Sequence, residues 1–100
     1  DIMIRDLHRP DLTSATVAAE LAISLRQVHV LFEPTGLSFT RSLTAMRLKE
    51  ARRLLGITPA RQVADIAYAC GFDSIATFYR VFRSAYGMTP GDVRMISLNA

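Results

Sequence analysis

Apolar residues recur at three- and four-residue intervals along most of the chain, and no stretch alternates apolar with polar positions for long, so the pattern predicts an all-α fold. After Pro10, Thr13 caps a predicted helix whose apolar face carries Val17, Ala18 and Leu21; Ala22, Ile23 and Ser24 interrupt it. Ser24 opens the next helix, with Gln27 completing a capping box and Val28, Leu31 and Phe32 as the apolar stripe, before Pro34 and Gly36 stop it. A longer helix is predicted from about Thr40 to Leu55, with Leu43, Met46, Leu48, Ala51, Leu54 and Leu55 partly buried and Gly56 as its end. At ~1.5 Å per residue it spans about 24 Å. Thr58 and Pro59 read as the cap and first residue of the following helix, whose apolar face is Val63, Ile66, Ala67 and Cys70. Gly71 permits a tight turn, Asp73 or Ser74 caps a helix carrying Phe78, Val81, Phe82 and Tyr86, and Thr89, Pro90 and Asp92 start a short last helix after Gly87. Upstream, Ile2, Met3, Ile4 and Leu7 read as part of a packing helix.

The apolar pattern repeats. Val17, Ala18, Leu21, Ala22, Ile23 recur as Ile66, Ala67, Cys70, Gly71, Phe72, and Val28, Leu31, Phe32 recur as Phe78, Val81, Phe82. Two short helices joined by a tight turn therefore occur twice, with the long helix between them, which describes two helix-turn-helix units on a spacer. The division is a first unit over residues 1–39, a linker helix over 40–56 and a second unit over 57–100.

Composition fits one domain: 100 residues, 50% hydrophobic and 21% charged, are enough for a buried core and unlike a disordered polyelectrolyte. The net charge of +3 is a mild bias towards anionic partners. Its distribution says more, because residues 1–50 hold six basic and six acidic side chains and residues 51–100 hold six and three. A lone cysteine, Cys70, excludes an internal disulfide framework and reads as a small core residue, and no apolar run approaches the ~20 residues of a membrane span, so a cytoplasmic location is the default. The first residue is Asp1 rather than Met, which suggests a piece cut from a longer chain.

In a helix-turn-helix unit the second helix enters the major groove while the first crosses the backbone. Packing claims Val28, Leu31 and Phe32 in the first unit, leaving Arg26, Gln27, His29, Val30 and Glu33 between solvent and DNA. Phe78, Val81 and Phe82 face inward in the second, leaving Ile75, Ala76, Tyr79, Arg80 and Arg83 outside. Arg26 and Arg80 are the strongest base readers, since a guanidinium makes paired contacts to guanine; His29 gives or accepts one hydrogen bond, and Val30 offers only an apolar contact. Arg41, Arg47, Arg52, Arg83, Ser74, Thr77 and Thr89 are candidates for phosphate anchoring. Two helix pairs on a spacer of about 24 Å are able to reach successive major-groove openings ~34–36 Å apart once their own width is added.

Residues Ile66 to Phe72 (IAYACGF), the segment FYRVFR with Phe78, Arg80, Phe82 and Arg83, and Gly87, Met88, Thr89, Pro90 followed by Val93 and Arg94 resemble the signature of the AraC/XylS family of transcription regulators. The linker, with Arg47, Leu48, Ala51, Arg52, Leu54 and Leu55, and the first unit from Thr13 to Phe39 are similar to the family as well. The resemblance implies a seven-helix bacterial DNA-binding domain, an effector-sensing or dimerising domain elsewhere in the protein, and often recruitment of RNA polymerase in activation. It implies base reading by Arg26, Gln27, His29 and Val30 in the first unit and by Ile75, Ala76, Tyr79 and Arg80 in the second. Ala22 departs from the pattern, standing where the family often has Gly in the first turn.

Two other classes fit the sequence less well. An enzyme needs a phosphate loop, a metal-spaced cluster or a carboxylate pair, and the sequence has none, so neither catalytic residues nor cofactor nor metal is expected. A helical protein-interaction module with weakened DNA binding is the alternative, and the retained Arg26 and Arg80 and the basic second half argue against it.

Overall fold

The computed structural model describes residues 6–36 and 38–99 of the chain. Among these residues it is all-α: α1 Ser14–Leu21, α2 Leu25–Phe32, α3 Phe39–Ile57, α4 Val63–Ala69, α5 Ile75–Tyr86 and α6 Pro90–Asn99, with a 3-10 turn at Glu33–Thr35 after α2. Six helices are present in this range rather than seven. Of the additional helix expected upstream, Ile2, Met3 and Ile4 lie outside the described residues, and Leu7 packs on the first core.

Side-chain oxygens start each of α1–α6 but α4. Thr13 and Thr16 form a capping box at α1. Ser24 Oγ accepts from the Gln27 N–H at 3.1 Å while the Ser24 N–H donates to Gln27 Oε1 at 2.8 Å, the same reciprocal device at α2. Ser74 caps α5, and Thr89 and Asp92 exchange hydrogen bonds at 3.1 and 3.2 Å around the buried Pro90 that begins α6. Those bonds hold the Asp92 carboxyl below its ordinary range.

The chain builds two cores on one helix. Leu12, Val17, Ala18 and Val28 pack against Phe39 and Leu43 from the first half of α3. Ile66, Ala67, Cys70, Phe72, Phe78, Phe82 and Val93 pack against Leu48, Ala51 and Leu55 from its second half. Aromatic rings run through the second core, with centroids 5.0 Å apart for Phe72 and Phe78, 5.5 Å for Phe78 and Phe82, and 4.8 Å for Phe82 and Tyr86. The molecule is correspondingly elongated, 46 × 23 × 23 Å.

Several local readings change. The linker starts at Phe39 under a Ser38 cap and continues through Gly56 to Ile57. Gly56 does not end it but lies inside the helix on the side facing α6, where a Cβ would make an ordinary contact with Ser97 Oγ at 3.4 Å. Thr58 closes α3 instead of opening α4, its hydroxyl donating to the Leu54 carbonyl at 2.6 Å, and Gln62 is the N-cap of α4. Leu31 and Leu21 are 63% and 48% exposed, not packed. Val28 and Phe32 fill the short contact between α2 and α3, whereas Val81, the counterpart of Leu31, finds the second core beside it.

Ala22, the C-cap of α1, has φ 55° and ψ 39°, a left-handed conformation, and its neighbour Ile23 donates back to the Ala18 carbonyl at 3.0 Å. A methyl group in that region costs ~1–2 kcal/mol, partly offset by the larger unfolded-state entropy of glycine. Ala22→Gly is therefore expected to raise the unfolding free energy by about 0.5–1 kcal/mol, read from the urea midpoint at constant slope. A lower midpoint would show that Ala22 is not left-handed in solution.

Candidate nucleic-acid interface

Each unit presents its second helix across a bend. The axes of α1 and α2 turn by 108° over the break at residues 22–24, within the usual range for helix-turn-helix pairs. Val28, fully buried, fixes the rotation of α2, and this leaves Arg26, Gln27, His29 and Val30 exposed on its outer side. Gln27 has its carbonyl oxygen committed to the Ser24 cap, so its amide NH2 is the part that remains to meet a base. Leu25 and Leu31, 46% and 63% exposed, border this surface.

In α5 the buried Phe78 and Phe82 set the rotation and bring Ala76, Tyr79, Arg80 and Arg83 outward. Ile75 sits apart from them: it is half-buried against the second core, and only part of it faces out. The Tyr79 ring stands edge-on to Phe78 with centroids 5.9 Å apart, so one side of the ring is packed while the rest is exposed.

The expected anchoring residues lie in four settings. Arg80 and Arg41 line one groove between α5 and the first half of α3, about 680 Å³ in volume, together with Thr40, Thr44 and Ser84. Sequence reasoning missed these three hydroxyls; Thr40 and Thr44, four apart beside Arg41 on a helix, were the available signal. Arg83 is exposed on the same helix as Arg80. Ser74, Thr77 and Thr89 lie at helix starts, where Ser74 Oγ and Thr89 Oγ already accept backbone N–H groups. Arg52 is exposed but lies over the Tyr86 ring, 4.8 Å from its centroid.

Arg47 belongs to none of these. It is half-buried, with Nε donating to the Leu7 carbonyl at 2.7 Å and a terminal nitrogen to the Arg9 carbonyl at 2.5 Å, and burial lowers its pKa. Two of its five N–H donors are therefore committed inside the fold. Cys70 is buried in the second core, and burial pushes its thiol up to about 11, which disfavours the reactive thiolate. Among the described residues no group of three His, Cys, Asp or Glu side chains is arranged to hold a metal, and no single helix is long and apolar enough to cross a membrane.

A family model described as a helix-turn-helix domain matches residues 17–95. The chain is 39% identical over 90 residues to the transcriptional activator NphR of a Rhodococcus species and 42% identical over 92 residues to the HTH-type transcriptional activator RhaS of Escherichia coli. The matches cover 90% and 91% of this chain but 27% and 33% of those relatives, so the chain spans a third of their length or less. Among solved structures, a transcriptional regulator with an AraC-type DNA-binding domain from Chromobacterium violaceum is similar with TM-score 0.86 at 28% identity, over 96% of this chain and 85% of that one. The DNA-binding domain of AdpA, crystallised with a target DNA, is similar with TM-score 0.83 at 29% identity, over 93% of this chain and 83% of that one.

Proposed function

We propose, because this chain belongs to the AraC/XylS family of helix-turn-helix transcription regulators, that it reads an asymmetric site on double-stranded DNA by placing α2 and α5 in successive major grooves. The observation that carries this reading is the pairing of two exposed second helices, rotated by buried Val28 in α2 and by buried Phe78 and Phe82 in α5 so that Arg26 and Arg80 stand on their free sides. In this reading Arg26 and Arg80 make paired contacts to guanine, Gln27 and His29 add single hydrogen bonds, and Val30, Ala76 and the exposed part of Ile75 contact thymine methyls. Tyr79 bridges base and backbone. Arg41, Thr40, Thr44 and Ser84 in the groove beside Arg80 meet the phosphates between the two major grooves, and Arg52, Arg83, Ser74, Thr77 and Thr89 supply further phosphate contacts outside that groove.

The units are taken as residues 1–39 and 57–100 around a linker at 40–56, with a seventh helix ahead of α1, where Asp6 already has helical backbone. The activity follows the relatives, both named transcriptional activators: DNA binding brings RNA polymerase to a promoter, under control of an effector or dimerisation domain of the kind that the remaining two thirds of those relatives leave room for.

Selection of bound duplexes from a random pool, followed by titration at several salt concentrations, tests the reading. The expected product is two dissimilar elements one helical turn apart, with affinity that falls steeply as salt rises. Recovery of random sequences, or of one element alone, contradicts it.

A further inference from the structure

Arg47 stands midway along α3, between the two cores, and its guanidinium faces a junction of three segments. The carbonyls it grips, those of Leu7 and Arg9, belong to the stretch that leads into α1. That stretch is bound to the first unit: Leu7 packs on the first core, Leu12 is buried in it, and the Arg9 side chain reaches Glu20 of α1 at 2.9 Å. On the other side lies the turn of the second unit. A Cβ on Gly71 would come within 2.4 Å of the Leu7 carbonyl oxygen and 2.7 Å of Arg47 Nε, so the bare Gly71 backbone rests directly on the hydrogen bond between them. Asp73, on the same turn, offsets part of the cost of burying the Arg47 charge.

We propose that Arg47 is a positioning residue for DNA reading: by clamping the Leu7–Arg9 stretch against the Gly71 turn, it fixes the angle between α2 and α5 and so the spacing of the two base-pair elements the domain accepts. This rests on the two-element reading above. A single helix joining two separate cores is free to bend gently, and its bending moves the recognition helices at both ends. A planar fork with separate donors on two carbonyls resists that motion, and losing it leaves both carbonyls short of a partner in a half-buried site. Lysine, a point charge on a flexible stem, does not reproduce the fork.

Arg47→Ala and Arg47→Lys, made in this chain, separate the possibilities with two measurements. The first is the distance distribution between spin labels at Ala19→Cys and Asp65→Cys, both exposed and outside the proposed interface. It is expected to be narrow for Arg47, broad for Ala and intermediate for Lys. The second is affinity for duplexes whose elements are separated by one base pair more or less than the selected spacing. Arg47 should disfavour the altered spacings about tenfold, Arg47→Ala should flatten that preference to about twofold, and neither should change binding to a single element. An unchanged distance distribution in Arg47→Ala overturns the proposal whether or not DNA is bound. A uniform loss on single- and two-element duplexes, rescued by Lys and accompanied by a salt slope smaller by about 1, overturns it in favour of a phosphate contact. If the wild-type chain binds no two-element duplex, the reading on which the proposal rests fails, and the distance distribution still decides whether Arg47 holds the units.

Discussion

Gly71→Ala is expected to remove about 2–4 kcal/mol of folding stability, a large part of the ~5–15 kcal/mol available to a domain of this size. Two costs add. Gly71 has φ 95°, where a methyl group is strained by ~1–2 kcal/mol even in open space. The space is not open, since the new Cβ meets the Leu7 carbonyl oxygen at 2.4 Å. That carbonyl is itself held by Arg47, so relief requires either the Leu7–Arg9 stretch to lift off α3 or the turn between α4 and α5 to unwind. Gly87→Ala is the internal control: its φ is 71°, yet nothing lies within 4 Å of its Cβ position, so it should lose only the strain net of the glycine entropy, about 0.5–1 kcal/mol. Urea unfolding of both variants checks the difference, and equal losses would show that the contact at Gly71 carries no energy.

Arg26→Ala and Arg80→Ala should each cost about 1–3 kcal/mol on the selected duplex, roughly 5- to 150-fold in affinity, while leaving binding to random duplex much less affected. The decisive feature is where preference relaxes. Repeating the selection with each variant is expected to blur one or two base pairs, in the first element for one arginine and in the second element for the other, with the two positions about one helical turn apart. Loss at the same base pairs in both variants would contradict separate grooves, and equal losses on selected and random duplexes would turn both arginines into phosphate contacts.

The parts of the fold legible in the sequence were those written in neighbouring residues. Thr13, Ser24 and the Thr89 with Asp92 pair announce helix starts because the oxygen and the N–H it accepts are three residues apart. The stripe Phe78, Phe82 and Tyr86 announces a buried face, and with it the outward side that holds Arg80. Ala22 was marked by its place in the repeat, and its left-handed φ is the strain that place demands. What escaped depends on partners far along the chain. Arg47 looks like one more basic linker residue until its acceptors, 40 and 38 residues earlier, are in place. Gly56 looks like a helix stop until Ser97 lies against it. Leu31 fits the apolar repeat, but only the packing around α2 reveals that among the described residues it stays mostly exposed.

The shared helix α3, 19 residues and about 28 Å long, also sets the domain's tolerance to insertion. One added residue would turn the second core about 100° around the helix axis relative to the first and push it ~1.5 Å along, taking one recognition helix off the duplex. Seven added residues nearly restore the facing but advance the unit ~10.5 Å, about a third of the ~34–36 Å repeat of DNA, which presents the wrong side of the groove. The two screws, peptide and duplex, share no short common period. A linker of this kind can drift only in its exposed side chains, and in the two-groove reading its length is locked to the pitch of the duplex.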